Sequence, residues 1–228
     1  MSRPIKPQIH IFFPEASHRG KKVELCESFY IIHSFQRKVT QAKIAHYAEE
    51  FENEFNMAIK NTIKKNSQYP NDLFFIVLDT DINASSSNLD TVISRIQSLN
   101  KKYGKNAAII LSGRSFEVWL CMYDRQQYTT PYTSQHNLYT DVDPLYEKKE
   151  KWYSENASRL YEKYSDAKAA SILSKQNVYT NTPNPPPSGF NLVINCPDFS
   201  NNAILTYLVG TTPFTYFEHL IDTIKEYE

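Results

Sequence analysis

The 228-residue chain has no run of about 18 or more apolar residues, which excludes a membrane-spanning helix. Cysteine is scarce. Cys26, Cys121 and Cys196 are odd in number and far apart, so neither a disulfide framework nor a C-x-x-C metal site is expected, and a reducing, cytoplasmic setting is. A signal-peptide plan is missing at the N-terminus, where the apolar stretch of residues 9–13 is short and runs into Pro14 and Glu15. An excess of one charge is missing too. The 25 Lys and Arg balance 25 Asp and Glu, so bulk charge does not make this chain coat nucleic acid. Only a gradient remains, with 11 basic against 7 acidic residues over 1–71 and 8 against 12 over 127–228. A basic front and an acidic rear are able to orient a polyanion, though gradients this small are usually incidental.

What is present is enough apolar residue, 41%, for one good core, alone or with an appended subdomain. Residues 8–13 (QIHIFF) read as a strand entering that core. Residues 21–35 read as helix or strand. Residues 40–65 carry Ile44, Tyr47, Ala48, Phe51, Phe55, Ala58, Ile59 and Ile63 at spacings of three and four, which predicts one helix capped by Thr40. After a turn at 69–72, LFFIVL (73–78) is a strand buried on both faces, the mark of a parallel sheet with helices on each side. A polar loop (82–88), an amphipathic helix over 89–103, a buried strand AAIIL (107–111) and a short helix from Phe116 follow. The alternation predicts a doubly wound α/β core over 1–125, with sites at the carboxyl ends of its strands. Residues 126–228 read as a mainly helical region packed on that core. They comprise a tyrosine-rich loop (124–144), one long charged helix (145–176), a proline-rich connection (178–188), a strand at 190–195 and a closing helix at 212–227. No internal repeat is found.

Two strand ends carry acids. Glu15 lies two residues past the first strand, and Asp79 and Asp81 follow the buried strand as D-T-D. In a parallel sheet these ends share one edge. Converging carboxylates repel unless a cation neutralises them, and Mg²⁺ (or Mn²⁺) is the natural oxygen-ligated choice. Against this stands the ordinary use of Asp as a turn former after a strand. Glu117 lies just inside an apolar helix start and needs a helix dipole or a partner. It is a fourth acid, a positioner of a base such as Arg114, or an ordinary first-turn Glu. His18, Arg19, Lys21 and Lys22 form a basic loop suited to a phosphate backbone, or simply a solvated one. His10, His33, His46, His136 and His219 show no metal-ligand spacing and are expected to be structural or exposed. The 16 tyrosines are expected to be mostly packing residues.

The stretches IHIFFPEA, LFFIVLDTDIN and AIILSGRSFEVWLCMY together resemble the RloB-like proteins of the wider Toprim-like group, which includes abortive-infection proteins of the AbiL type. The family pattern is roughly E-G, then T-E, near the start, then apolar-D-x-D, then S-N-P-x-F-E-x-W-L-L-x-H-F. The likeness covers residues 8–125, with a weaker echo in a later helix and at 214–227. It implies a Toprim-like, Rossmann-like sheet with a catalytic or metal-linked Glu15, metal-linked Asp79 and Asp81, and a signature acid at Glu117. It also implies a magnesium-dependent nuclease acting as toxin or effector in antiviral defence, beside a partner ATPase of the AAA or ABC type and with DNA or RNA, tRNA included, as target. The chain departs from the pattern at Ala16, in place of the Gly that lets backbone approach phosphate. Gly20 follows further along, and Glu24 stands at a longer spacing than the second early Glu. Tyr123 stands in place of a His, and Ser112-Gly113-Arg114-Ser115 in place of Ser-Asn-Pro-x. A divergent enzyme and a member that has lost catalysis both fit. The other readings are a non-catalytic module that docks on the ATPase and a regulator that binds a small phosphate ligand. Association of copies is left open.

Overall fold

The computed structural model describes residues 6–13, 17–19, 22–24, 27–48, 52–66, 69–80, 89–130, 134–146, 150–181, 199, 201–210 and 213–228. For 17–19, 22–24, 27–29, 48, 52–55, 150, 178–181 and 210 the backbone alone is described. Four parallel strands make the central sheet: β1 (Gln8–Phe13), β4 (Lys43–Ala48), β5 (Leu73–Asp79) and β6 (Ala108–Ser112), in the spatial order β4-β1-β5-β6. An antiparallel hairpin, β2 (Ser17–Arg19) with β3 (Lys22–Glu24), follows β1. The helices are α1 (Glu27–Gln36), α2 (Glu52–Asn66), α3 (Leu89–Tyr103), α4 (Glu117–Leu120), α5 (Gln135–Val142), α6 (Glu150–Glu162), α7 (Tyr164–Asn181), α8 (Asn202–Gly210) and α9 (Phe217–Lys225).

The apolar runs divide by the two-residue period of a strand. Ile9, Ile11, Phe13, Phe75, Val77 and Ile110 face one core, against Ile31, Ile32 and Phe35 of α1 and against α4, α6, α7 and α9. Phe12, Ile76, Leu78, Ile109 and Leu111 face the other, against Ile59 of α2, Ile93, Ile96 and Leu99 of α3, and Leu205 and Leu208 of α8. The sheet is therefore covered on both sides, as the uninterrupted LFFIVL demands. The C-terminal helices belong to the same body. The ring of Phe217 in α9 meets Phe116 edge-on at 4.8 Å. Among the described residues no helix is long and apolar enough to cross a membrane.

Several sequence expectations are corrected. Residues 40–65 are not one helix: 43–48 form β4, paired along their length with β1, and the helix starts at Glu52. Ile44 and Tyr47 fit a three-residue spacing, but an isoleucine and a tyrosine next to β1 gain more from the sheet than a helical stripe gives. The core thus has four parallel strands where the sequence predicts three. The loop at 124–144 contains α5, started by Ser134, whose hydroxyl accepts from Asn137 N at 3.2 Å. The long helix divides at Lys163 into α6 and α7. The closing helix begins only at Phe217, and α8 precedes it. The basic loop after Glu15 is in part the β2–β3 hairpin, with Arg19 opposite Lys22. The strand expected at 190–195 and the loop at 82–88 lie outside the described residues.

Beyond β6 the sheet gains a short antiparallel neighbour. Thr215 bridges Ser112, Gly113 N–H donates to Phe214 O at 2.8 Å, and Tyr216 N–H donates to Leu111 O at 3.0 Å. α9 then runs back across the sheet, and its end accepts from Thr40 N and Gln41 N at Tyr227 O.

Candidate functional site

The chain leaves β1 in one direction to build α1 and β4, and leaves β5 in the other to build α3 and β6. The order of strands reverses between β1 and β5. In doubly wound sheets a crevice opens at such a point, outside the carboxyl ends of the strands. β5 ends there on Asp79, half-buried and in register with Ser112 of β6. Glu15 is the second residue past the end of β1 and Asp81 the second past the end of β5; both, with Lys21, lie outside the described residues. Of Arg19 and Lys22 the backbone alone is placed, in the hairpin after β1.

The turn after β5 is tied to the turn after β6 by two hydrogen bonds. Thr80 N–H donates to Ser112 O at 3.1 Å, and Arg114 N–H donates to the Thr80 hydroxyl at 2.6 Å. Thr80, the middle residue of D-T-D, is 1% exposed. Arg114 has φ 71°, a left-handed conformation that is costly for a residue other than glycine. Ser115 N–H donates across it to Gly113 O at 3.0 Å. That three-residue closure with positive φ is the rarer, strained kind of γ-turn. Gly113 is required by packing: a Cβ there would stand 2.6 Å from a ring carbon of Phe214.

Glu117 opens α4 and is 1% exposed. Its carboxylate accepts from the Ser115 hydroxyl, from Gln135 Nε2 at 3.3 Å and from the Tyr146 hydroxyl at 3.4 Å. The Tyr146 and Tyr153 hydroxyls lie 2.8 Å apart. Glu117 is thus met by neutral donors from α5 and from the approach to α6. These hold Ser115, the residue next to Arg114, and the arrangement makes Glu117 a support for the turn.

Tyr123 is buried with its hydroxyl. Burial pushes that phenol well above its ordinary range, which leaves it a poor proton carrier. Burial likewise pushes the Cys121 thiol up to about 12, so it is an inert packing group. His10 is a satisfied core histidine, 3.0 Å from the Tyr47 hydroxyl and 3.3 Å from Asp72. It lies toward the amino-terminal end of the strands, away from the crevice.

Asp79, and the Glu15 and Asp81 that the sequence sets beside it, are oxygen donors, whose chemistry fits a hard divalent cation such as Mg²⁺. Among the described residues no group of three or more His, Cys, Asp and Glu side chains is placed to hold a metal; of the three acids in question only Asp79 is among them. Sequence reasoning found Asp79, Arg114 and Glu117 but missed Thr80, Ser115, Gln135 and Tyr146. The only signal for Thr80 was its place between two aspartates. Comparison with protein-family models, with curated proteins and with solved structures gives no match.

Proposed function

We propose that the protein is a Mg²⁺-dependent, Toprim-like nuclease that cleaves phosphodiester bonds of DNA or RNA as the effector of an antiviral defence system. The observation that carries the chemistry is Asp79 at the carboxyl end of β5, where the strand order reverses, in register with the strand that leads into the Arg114 turn. The defence role and an ATPase partner rest on the resemblance of residues 8–125 to RloB-like proteins.

In this reading Asp79 and Asp81 hold the cation, and Glu15 joins them or moves the proton of the attacking water. A Mg²⁺ ion held by these acids would supply polarisation of the phosphodiester and an activated water. Arg114, the hairpin residues Arg19 and Lys22, and Lys21 hold the phosphate backbone. Glu117 keeps Ser115, and through it the Arg114 turn, in place.

The experiment is cleavage of plasmid, single-stranded DNA and tRNA with Mg²⁺ or Mn²⁺, comparing the wild type with Asp79→Asn/Asp81→Asn. The wild type cuts at least one substrate only with metal, and the variant is slower by about a hundredfold or more, since loss of a ligand costs at least what loss of its hydrogen-bond partner does. Equal rates in the two proteins remove the aspartates from the mechanism.

A further inference from the structure

Thr80 has a buried hydroxyl with a specific task. Its Oγ1 accepts the N–H of Arg114 at 2.6 Å, while its own N–H donates to Ser112 O at 3.1 Å. The two bonds cross in opposite senses between the turn after β5 and the turn after β6. They close a small ring of protein around the point where Asp79 meets Ser112. The Arg114 N–H needs this acceptor. At φ 71° the residue has left the strand ladder, and without the Thr80 hydroxyl its part-buried N–H would lose this acceptor. Thr80 also follows Asp79 directly, so the two bonds that hold it hold the end of the backbone from which the Asp79 carboxylate projects.

We propose that Thr80 is a positioning residue: its hydroxyl locks the chain next to Asp79 to the Arg114 turn, so that Asp79, which holds the cation, and Arg114, which holds the phosphate, are set as one unit. The proposal rests on the metal reading above. It assigns to the hydroxyl a role in metal affinity that packing alone does not require.

The test is calorimetric titration of Mn²⁺ into the full chain, for wild type, Thr80→Val and Thr80→Ser, with thermal melts without metal as a folding control. Thr80→Val keeps the shape and loses the acceptor; Thr80→Ser keeps the acceptor and loses the methyl. The expected result is Mn²⁺ affinity lower by about tenfold or more in Thr80→Val, the usual consequence of removing a group that orients a ligand, and close to wild type in Thr80→Ser. In cleavage, Thr80→Val raises the metal concentration for half-maximal rate more than it lowers the rate at saturating metal. Should Thr80→Val fail to fold, Thr80→Ala, which sets no methyl against the Arg114 N–H, is read in its place. Wild-type affinity in the valine protein, or equal loss in the serine protein, overturns the proposal alone. Absence of Mn²⁺ binding by the wild type overturns the metal reading and this proposal with it.

Discussion

Lys175 of α7 and Glu218 of α9 form an ion pair out of contact with water, their side chains 0% and 4% exposed. Lys175 Nζ also donates to Thr215 O at 2.9 Å and lies 4.7 Å from the centre of the Tyr216 ring. The Ser171 hydroxyl donates to the second carboxylate oxygen of Glu218 at 3.2 Å. The partners named lie on α7, on α9 or on the short segment bridged to β6. The pair thus fastens the C-terminal helices to the sheet edge that carries Ser112 and the Arg114 turn.

Breaking the pair from one side leaves a charge buried without its counter-ion, which costs about 3–5 kcal/mol, whereas replacing both partners by apolar groups is often close to neutral. Lys175→Met and Glu218→Leu are each expected to lower the unfolding free energy by that order. The double variant is expected to lose far less than the sum of the two. Urea unfolding of the four proteins gives the coupling directly. Additive losses would show that the two charges are held independently.

Gly113 is fixed by its neighbour rather than by a phosphate. A methyl at this position would meet Phe214 at 2.6 and 2.7 Å, closer than real side chains approach. Phe214 is fully buried and cannot retreat without moving the strand that pairs with β6. Gly113→Ala should therefore cost about 1–3 kcal/mol through overpacking. Phe214→Leu, which removes the ring, should recover part of that loss in the double variant while being destabilising alone. Thermal melts of the three variants decide the matter, and an unperturbed Gly113→Ala would show that the ring has room to turn.

The sequence made the sheet legible where one chemical pattern had one outcome. Six apolar residues between a turn and an aspartate allow little but a strand buried on both faces, and β5 and α3 fall where the pattern puts them. It misled where two periodicities overlapped. In residues 43–48, Ile44 and Tyr47 suit a helical stripe as well as one strand beside another, and the choice is made by β1, whose proximity no local pattern encodes. Lys175 escaped notice because a lysine in a charged helix reads as solvated; its burial depends on Glu218, 43 positions on. Of the candidate site, Asp79 was legible at a strand end, since chain order and a parallel sheet suffice to place it. The groups that support it were not. Thr80, Ser115 and Gln135 act through bonds between turns that only the folded chain brings together.

Three histidines make stability depend on pH in one direction. Burial, with a smaller contribution from the charge of His33, depresses His46 to about 4 from its ordinary 6.5. Burial also depresses His10, outweighing the hydrogen bond and charge of Asp72, and it depresses His219 against the pull of Glu218. Each ring stays neutral in the fold at pH values where the unfolded chain is protonated. The unfolded state then binds more protons, so stability rises with pH through that window. For His46 its contribution is complete above 6.5 and is lost progressively as pH falls toward about 4. At about 1.4 kcal/mol per pKa unit, its share is of the order of 3 kcal/mol. His46→Gln removes the titrating ring 3.1 Å from Gln36, so its urea midpoint should fall less steeply than that of the wild type as pH is lowered across this window. Carboxylates titrate alike in both proteins, so the difference between the two curves isolates the ring. Parallel curves, or a His46 ring titrating near 6.5 by NMR, would show that water reaches the imidazole and that burial does not set its charge.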